Sequence, residues 1–301
     1  MATPALSGRQ YPIAAGEHAA TIAEVGAGLR SYTFGGADVT CTYATDELPP
    51  KCCGATLVPW PNRIRGGRYR FDGAELQLAL TEPAAGNAIH GLGRWARWSR
   101  VRQDVSSVTL RLDVVAQNGY PFQLRVETTY TLHAEFGLMV TIGARNLGVT
   151  RAPFGAGSHP YLSTRGHALA DTTLQLPARE MLVVDDAQVP VGERALVKTA
   201  HDLRRGKRLR GLRFDDGFTG LETDGGRGVA EVRTKAGGAR LWFDETFRYL
   251  QVFTRENLTP NQHGIAIEPM TCAPDAFNSG AGLIVLDPGG VWAGSWGIVP
   301  L

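Results

Sequence analysis

Polar residues that could carry chemistry occur in five short segments that interrupt an otherwise regular sequence pattern. They are residues 59–67, 86–92, 155–162, 214–221 and 264–278. In the last of these, a brief apolar alternation ends at Glu268, and Pro269 follows at once. Strand ends that lead into irregular loops often hold reactive groups, because a rigid scaffold positions them there. Glu268 is therefore a candidate functional carboxylate, although a solvated loop residue would fit the same pattern.

Two histidines occur in segments of this kind. His159 lies among glycines that permit close backbone approach, and Pro160 ends the strand directly after it. His90 lies between an apolar residue and a glycine, a context more typical of a structural histidine when it is taken alone. His159 is thus the better candidate for catalysis.

The first segment is bounded by prolines, which exclude a central strand and indicate a turn. It presents Trp60, Asn62 and Arg63 near that turn. A purely structural interpretation makes Trp60 a core residue and Arg63 a surface charge.

Residues 214–221 contain the adjacent pair Asp215 and Asp216. Such a pair could bind calcium, accept protons from sugar hydroxyls or form an Asx turn, and the local sequence favours the turn. Further along the chain, Gln251 is expected to share one strand face with Phe253.

Several classes of site have no support in the sequence. The histidines show neither HxH nor HExxH spacing, so no metal site is expected. There is no GxSxG nucleophile motif and no glycine-rich phosphate-binding motif. The remaining planar polar groups and aromatic rings suit a small polyhydroxylated ligand.

The elements that must position these residues are mainly strands. Period-two alternation is clear in residues 108–114, 122–132 and 138–142. Shorter candidates are residues 19–24, 29–34, 68–71, 230–233, 240–243, 250–254 and 282–286. The best helical candidate is residues 193–203, which leads into a run rich in glycine and arginine. The pattern predicts one large all-β domain over residues 1–301, a sandwich or barrel of antiparallel strands.

Composition limits the classes of partner. The chain has 301 residues, a hydrophobic fraction of 43%, a charged fraction of 20% and a formal net charge of +2. This small charge argues against a nucleic-acid partner, and the N-terminal residues lack the features of a secretory signal. No stretch approaches the ~20 apolar residues needed to cross a bilayer. We therefore expect a soluble cytoplasmic protein with no membrane partner and with Cys41, Cys52, Cys53 and Cys272 reduced.

Taken in order, the five segments resemble the aldose 1-epimerase (mutarotase) family from about residue 15 to the C-terminus. The residues that carry the resemblance are Asn62-Arg-Ile64, Gly66-Gly-Arg-Tyr-Arg-Phe-Asp-Gly73, Asn87-Ala-Ile-His-Gly91, Ser158-His-Pro-Tyr161 and residues 267–278. No single motif is decisive, but five in sequence are highly specific.

The resemblance implies a large antiparallel β-sandwich of the galactose mutarotase-like (supersandwich) type with few helices. It implies a sugar bound in an open cleft across one sheet and interconversion of the α and β anomers of a free aldohexose. No cofactor and no metal are implied. The expected partner is the small sugar substrate, and the protein is expected to act as a monomer or homodimer.

Carried over residue by residue, the resemblance makes Glu268 the base and His159 the acid. The base would begin ionised and the acid protonated, and ring opening would leave each in the other's state. The residues that would hold sugar hydroxyls are Asn62, Arg63, His90, Asp215 and Gln251. Asp215 is preferred to Asp216 because its spacing to Phe218 matches the family pattern.

The sequence also departs from galactose-specific members. Trp60 and the two prolines around it precede Asn62, and Pro160 follows His159. These features resemble a bacterial branch with mixed sugar preferences, including modified hexoses, so the sugar is left open.

Three rival functions are compatible with the sequence. A hexose-6-phosphate 1-epimerase would need a cationic phosphate site, for which Arg63, Arg65, Arg94 and Arg97 are available. A glycoside hydrolase would pair Glu268 with one of the two adjacent aspartates. A non-catalytic sugar-binding protein could use the same fold, because fold does not determine function.

Overall fold

The computed structural model describes residues 5–259 and 262–301, and it consists mainly of strands. The first strands are β1 (Gln10–Ala15), β2 (His18–Ala23), β3 (Gly28–Phe34), β4 (Ala37–Asp38), β5 (Thr56–Leu57), β6 (Arg63–Ile64), β7 (Arg68–Phe71), β8 (Ala74–Gln77), β9 (Ala88–Ile89), β10 (Ser99–Gln103), β11 (Ser107–Val114), β12 (Leu124–His133) and β13 (Gly137–Asn146). The others are β14 (Ala152–Phe154), β15 (Gly157–Ser158), β16 (Tyr161–Ser163), β17 (Thr173–Gln175), β18 (Ala178–Val184), β19 (Pro190–Ala195), β20 (Lys207–Arg208), β21 (Asp215–Leu221), β22 (Arg227–Thr234), β23 (Gly237–Asp244), β24 (Tyr249–Thr259), β25 (Gln262–Met270), β26 (Ile284–Leu286) and β27 (Val291–Pro300).

Helical structure is minor. Within the described residues it comprises 3₁₀ turns at Pro50–Cys52, Arg65–Gly67 and Leu169–Asp171 and one α-helix, α1 (Ala276–Ser279). In the part of the chain that the structure describes, strand accounts for 54% and helix for 4%, which confirms the predicted all-β class. In the same residues, no helix combines the length and apolarity that crossing a bilayer requires.

Two large antiparallel sheets organise the fold. One has nine strands in the order β10-β11-β12-β13-β27-β23-β22-β17-β20. The other has eight, in the order β19-β18-β21-β24-β25-β15-β5, with β16 also paired to β25. Strands β1 to β4 form a separate four-stranded sheet, and β6-β9, β7-β8 and β14-β26 form small ribbons.

The core lies between the two large sheets. A single hydrophobic cluster contains Val126 and Val140 from the nine-stranded sheet together with Val252, Ile265 and Ile267 from the eight-stranded sheet. In β12 every second residue is buried, as the period-two pattern of its sequence predicts. The alternation therefore buries one face of each sheet in a common core, as in a β-sandwich.

The predicted strands overlap observed ones, but the helical candidate at residues 193–203 is wrong. Its first residues belong to β19, which pairs with β18, and turns follow. Residues 191–195 are exposed. Because a short helix depends on burying an apolar face, this segment offers little to stabilise one, and pairing with β18 satisfies its backbone instead.

Candidate active site

Glu268 and Gln251 lie opposite each other on the central strands β25 and β24 of the eight-stranded sheet. Their neighbours Ile267 and Val252 point into the core. Because successive side chains on a strand point to opposite faces, Glu268 and Gln251 project from the face away from the core. Both line a cavity there.

The adjacent strand β21 adds Asp215 to the same face. Asp215 pairs with Phe253, and Gly217 pairs with Gln251. The Gln251 Nε2 group donates a hydrogen bond to Asp215 Oδ1 at 2.9 Å, which fixes the amide orientation. Asp216 points the other way, near His201 and Arg194, and does not line the cavity.

His159 lies in the short connection between β15 and β16, both of which pair with β25. Its backbone N–H donates to the Ala55 carbonyl at 3.0 Å, and its carbonyl accepts from the Gly54 N–H at 2.9 Å. Its ring stacks on Tyr161 with centroids 5.1 Å apart and planes 18° apart. Backbone pairing and stacking together hold the imidazole over the end of β25.

The opposite wall of the cavity comes from the ribbon β6-β9 and its flanks. Asn62 and His90 both have left-handed backbones, with φ of 54° and 62°. The His90 N–H donates to the Asn62 carbonyl at 2.8 Å, and the Asn62 N–H donates to His90 Nδ1 at 3.2 Å. An added Cβ on Gly91 would lie 2.1 Å from the Val58 carbonyl oxygen, so only glycine allows this approach.

Arg63, on β6, is held by a carboxylate that was not among the predicted site residues. Its Nε and Nη2 groups donate to the two carboxylate oxygens of Glu82 at 2.7 and 2.8 Å. Such a two-point ion pair fixes the plane of the guanidinium group. Glu82, like Glu268, directly precedes a proline, which is the one sequence signal that could have singled it out.

The cavity has a volume of about 320 Å³. All seven predicted site residues line it: Asn62, Arg63, His90, His159, Asp215, Gln251 and Glu268. The other lining residues are Lys51, Cys52, Thr81, Glu82, Ile89, Arg94, Tyr161 and Phe253. The eight-stranded sheet and the segments around β6 and β9 thus bring together side chains that are far apart in the sequence.

Glu268 and His159 are in direct contact in this cavity. Glu268 Oε1 lies 3.3 Å from His159 Nε2, and both side chains are buried. Within the described residues, Glu268 Oε2 and His159 Nδ1 are buried and have no hydrogen-bond partner. Buried polar atoms without partners are uncommon in folded proteins, so the pair has unused capacity to bond a ligand.

The environment favours the neutral form of each member of this pair. Burial raises the pKa of Glu268 well above its ordinary value of 4.5, and Asp215 adds to the effect, while Arg63 opposes it. Burial lowers the pKa of His159 from 6.5 to about 3; its own backbone opposes the shift and Arg94 adds to it. A single proton held by this pair therefore lies on Glu268. This differs from the expected ionised glutamate and protonated histidine.

The raised pKa of Glu268 should make the wild type less stable than the Glu268→Gln variant as pH rises. A carboxyl whose pKa is higher in the folded state stabilises folding below its unfolded pKa, and that contribution is lost at higher pH. Above pH 4.5 the variant should gain up to about 1.4 kcal/mol per pH unit relative to wild type. Urea unfolding at pH 4, 6 and 8 measures the difference, and a difference that does not change with pH contradicts the assignment.

His90, His159 and Glu268 could also be considered as metal ligands. Each offers one ligand atom, and these atoms lie within 4.8 Å of one another. Two imidazoles and a carboxylate are a donor set that zinc accepts. The positively charged guanidinium groups of Arg63 and Arg94 line the same cavity and disfavour the binding of a metal cation there.

Comparison with known proteins agrees with this geometry. The model of the aldose 1-epimerase family matches residues 9–298. The Escherichia coli K12 protein YihR, itself uncharacterized, is 35% identical over 283 residues, which cover 94% of this chain and 90% of YihR. Human galactose mutarotase is 27% identical over 261 residues, which cover 75% of this chain and 71% of the human protein.

Solved structures share the fold at lower sequence identity. The aldose epimerase homologue of Caenorhabditis elegans superposes with a TM-score of 0.85 at 21% identity, covering 97% of this chain and 99% of that one. Galactose 1-epimerase from Lactobacillus acidophilus superposes with a TM-score of 0.78 at 22% identity, covering 95% of this chain and 92% of that one. The fold is a mutarotase-like β-sandwich, and its cavity holds Glu268 and His159 in contact. The chain belongs to the aldose 1-epimerase family and is an isomerase.

Proposed function

We propose that this protein interconverts the α and β anomers of an aldohexose that is free at C1, by acid–base opening and closure of the sugar ring. The observation that carries the proposal is the contact between Glu268 and His159, 3.3 Å apart, inside a cavity of about 320 Å³. The volume falls within the range of small-molecule sites. The surrounding polar groups suit sugar hydroxyls.

The contact matches the geometry of a hemiacetal. The C1 hydroxyl oxygen and the ring oxygen are bonded to the same carbon, so two groups that touch each other can reach both oxygens of one sugar. Glu268 removes the proton of the C1 hydroxyl, and His159 donates a proton to the ring oxygen. The bond between C1 and the ring oxygen breaks, and C1 becomes the aldehyde carbon.

Rotation about the C1–C2 bond then presents the other face of the aldehyde. Closure reverses both proton transfers: His159 takes the proton back from the C5 hydroxyl, and Glu268 returns one to the new C1 hydroxyl. The pair ends as it began, so the reaction consumes no proton. Neither an oxidant nor a reductant is needed.

Sugar binding must first move the shared proton from Glu268 to His159. Hydrogen bonds donated to a carboxylate favour its ionised form, and a bound sugar hydroxyl can donate one to Glu268, which lines the cavity. Arg63 acts in the same direction, since it lowers the pKa of Glu268. Sugar binding thus ionises the carboxyl group of Glu268, which then removes the proton of the sugar's C1 hydroxyl.

The hydroxyl-binding residues are proposed from their positions around the pair. Gln251 and Asp215 offer amide and carboxylate atoms from the sheet, and Asn62, Arg63 and His90 face them from the opposite wall. Existing hydrogen bonds orient each of these side chains or its backbone. Because they are already positioned, little ordering is required when the sugar binds.

Anomer exchange measured by NMR on a panel of aldoses tests the proposal. We expect enzyme-dependent exchange between the two C1 proton signals for at least one aldose, unchanged by a metal chelator. A chromogenic glycoside incubated under the same conditions should release no aglycone. Binding of sugars without exchange would instead support the sugar-binding alternative, and absence of exchange on every aldose would refute the epimerase function.

A further inference from the structure

Arg94 is a buried cation in the cavity that forms no ion pair within the described residues, although its charge helps to lower the pKa of Glu82. The residue is only 8% exposed. Nη1 donates to the Cys52 thiol at 3.3 Å and Nη2 to the Thr81 carbonyl at 3.5 Å, while Nε has no partner. Among the described residues Arg94 forms no ion pair. Arg63, in the same cavity, is bonded at two points to Glu82.

Burial of a charge without a partner is unfavourable, because water is lost and no opposite charge replaces it. Cys52 does not supply that charge, since burial raises the pKa of its thiol and keeps it neutral at neutral pH. A thiol and a distant carbonyl are weak acceptors for a guanidinium group. The unused donors of Arg94 therefore indicate that a ligand provides the negative charge.

A second cation lines the cavity next to Arg94. Lys51 lies in the 3₁₀ turn Pro50–Cys52, where Lys51 and Cys52 both have left-handed backbones, with φ of 48° and 60°. Non-glycine residues rarely adopt this conformation, and strained backbone is concentrated at ligand sites. The Tyr161 hydroxyl donates to the Lys51 carbonyl at 3.3 Å. The turn is thus tied to the ring that stacks on His159.

The charges around the cavity do not balance. Burial favours the neutral forms of both Glu268 and His159. The remaining charged lining residues are the cations Lys51, Arg63 and Arg94 and the carboxylates Glu82 and Asp215. Three positive charges against two negative charges leave a formal excess of one, and within the described residues Arg94 and Lys51 are the two lining cations that form no ion pair.

We propose that Arg94 and Lys51 form an anion subsite, so that the preferred substrate is an aldose with an acidic group away from C1. This inference rests on the proposed epimerase function and specifies its substrate class. A phosphate, sulfonate or carboxylate group would supply the missing charge. The planar guanidinium group of Arg94 can donate two parallel hydrogen bonds to any of them.

The test compares anomer exchange of four sugars at one ionic strength: glucose, glucose 6-phosphate, glucose with a sulfonate at C6, and glucuronate. We expect at least one anionic sugar to have a kcat/KM more than tenfold above that of glucose. Arg94→Met should lower this anionic-to-neutral ratio by about 10- to 100-fold, the effect of removing hydrogen bonds to a charged group. Lys51→Met, at an exposed position, should lower the ratio by a smaller factor.

Arg97→Met is the matched control. Arg97 lies three residues further on, is 75% exposed and pairs with Glu24 outside the cavity, so its loss changes the net charge equally. This variant should keep the wild-type ratio. If circular dichroism shows that Arg94→Met does not fold, the anionic-to-neutral ratio is measured for Arg94→Lys and Lys51→Met instead. Arg94→Lys should retain part of the preference.

The outcomes separate the two proposals. Exchange of glucose at a rate equal to or above that of all three anionic sugars would overturn the anion subsite and leave the epimerase function intact. An anionic preference that Arg94→Met and Lys51→Met do not change would also overturn it. Exchange of no sugar would refute the epimerase function, and the subsite with it.

Discussion

Glu268→Gln should lower kcat for anomer exchange by about 10²- to 10⁴-fold, the usual contribution of a positioned proton-transfer group. Glutamine keeps the size of the side chain and its ability to hydrogen-bond the sugar, but it cannot accept the proton of the C1 hydroxyl. Sugar affinity should therefore change much less than kcat. Saturation-transfer NMR measures exchange, and calorimetric titration measures binding.

Asp216→Asn is a matched control for this variant. Asp216 is also a carboxyl group whose pKa burial raises, and it belongs to the same sheet, but it does not line the cavity. Its replacement should leave kcat within a few-fold of wild type. If Glu268→Gln retained near-normal exchange, Glu268 would not be the base.

The sequence predicts the positions of the candidate site residues better than their electrostatic state. Alternation around Glu268 and Gln251 predicts strands, and the observed register sets these two residues opposite each other. The glycines and prolines near His159 and Asn62 predict that these two residues lie in irregular segments. These are local effects, because backbone conformation depends mainly on the residues themselves and their neighbours.

Interactions that depend on distant segments are not visible in the sequence. The pairing of Arg63 with Glu82 joins residues 19 positions apart, and the lack of a counter-ion at Arg94 is a property of the assembled cavity. The pKa shifts of Glu268 and His159 arise from burial, which the fold as a whole creates. The expected protonation states therefore differ from those in the folded protein.

The segment at residues 193–203 illustrates the same limit for secondary structure. Its composition permits a helix, but a neighbouring strand, β18, is available for pairing. The choice between a short exposed helix and an edge strand depends on tertiary context. The availability of β18 for pairing cannot be read from the local sequence of residues 193–203 alone.

His159→Gln should also reduce kcat for anomer exchange by about 10²- to 10⁴-fold. Glutamine can hydrogen-bond the ring oxygen, but it cannot deliver a proton to it during ring opening. His18→Gln is a matched control, because burial also lowers the pKa of His18, whose Nδ1 bonds the Tyr32 hydroxyl away from the cavity at 2.8 Å. The control variant should keep the kcat of wild type, measured at a temperature where circular dichroism shows it folded.

The pH profile of the wild type gives an independent measure of the pair. Since the pKa of His159 in the free protein is about 3, this group does not titrate between pH 7.5 and 5.5, and kcat/KM should not rise as pH is lowered through the ordinary histidine pKa of 6.5. The profile of kcat/KM reports ionisations of the free enzyme, and coupled groups titrate as a pair. A rise in kcat/KM centred near pH 6.5 as the pH is lowered would show that the proton is held by an isolated histidine.

Because Glu268 and His159 share one proton, the double variant Glu268→Gln/His159→Gln should be no more than a few-fold slower than either single variant. Residues that act as a unit lose their function together, so their effects on the activation free energy do not add. Two independent groups would instead multiply their losses, giving about 10⁴-fold or more. Single-turnover exchange measured for all four proteins distinguishes these cases, and multiplicative losses would contradict a shared proton.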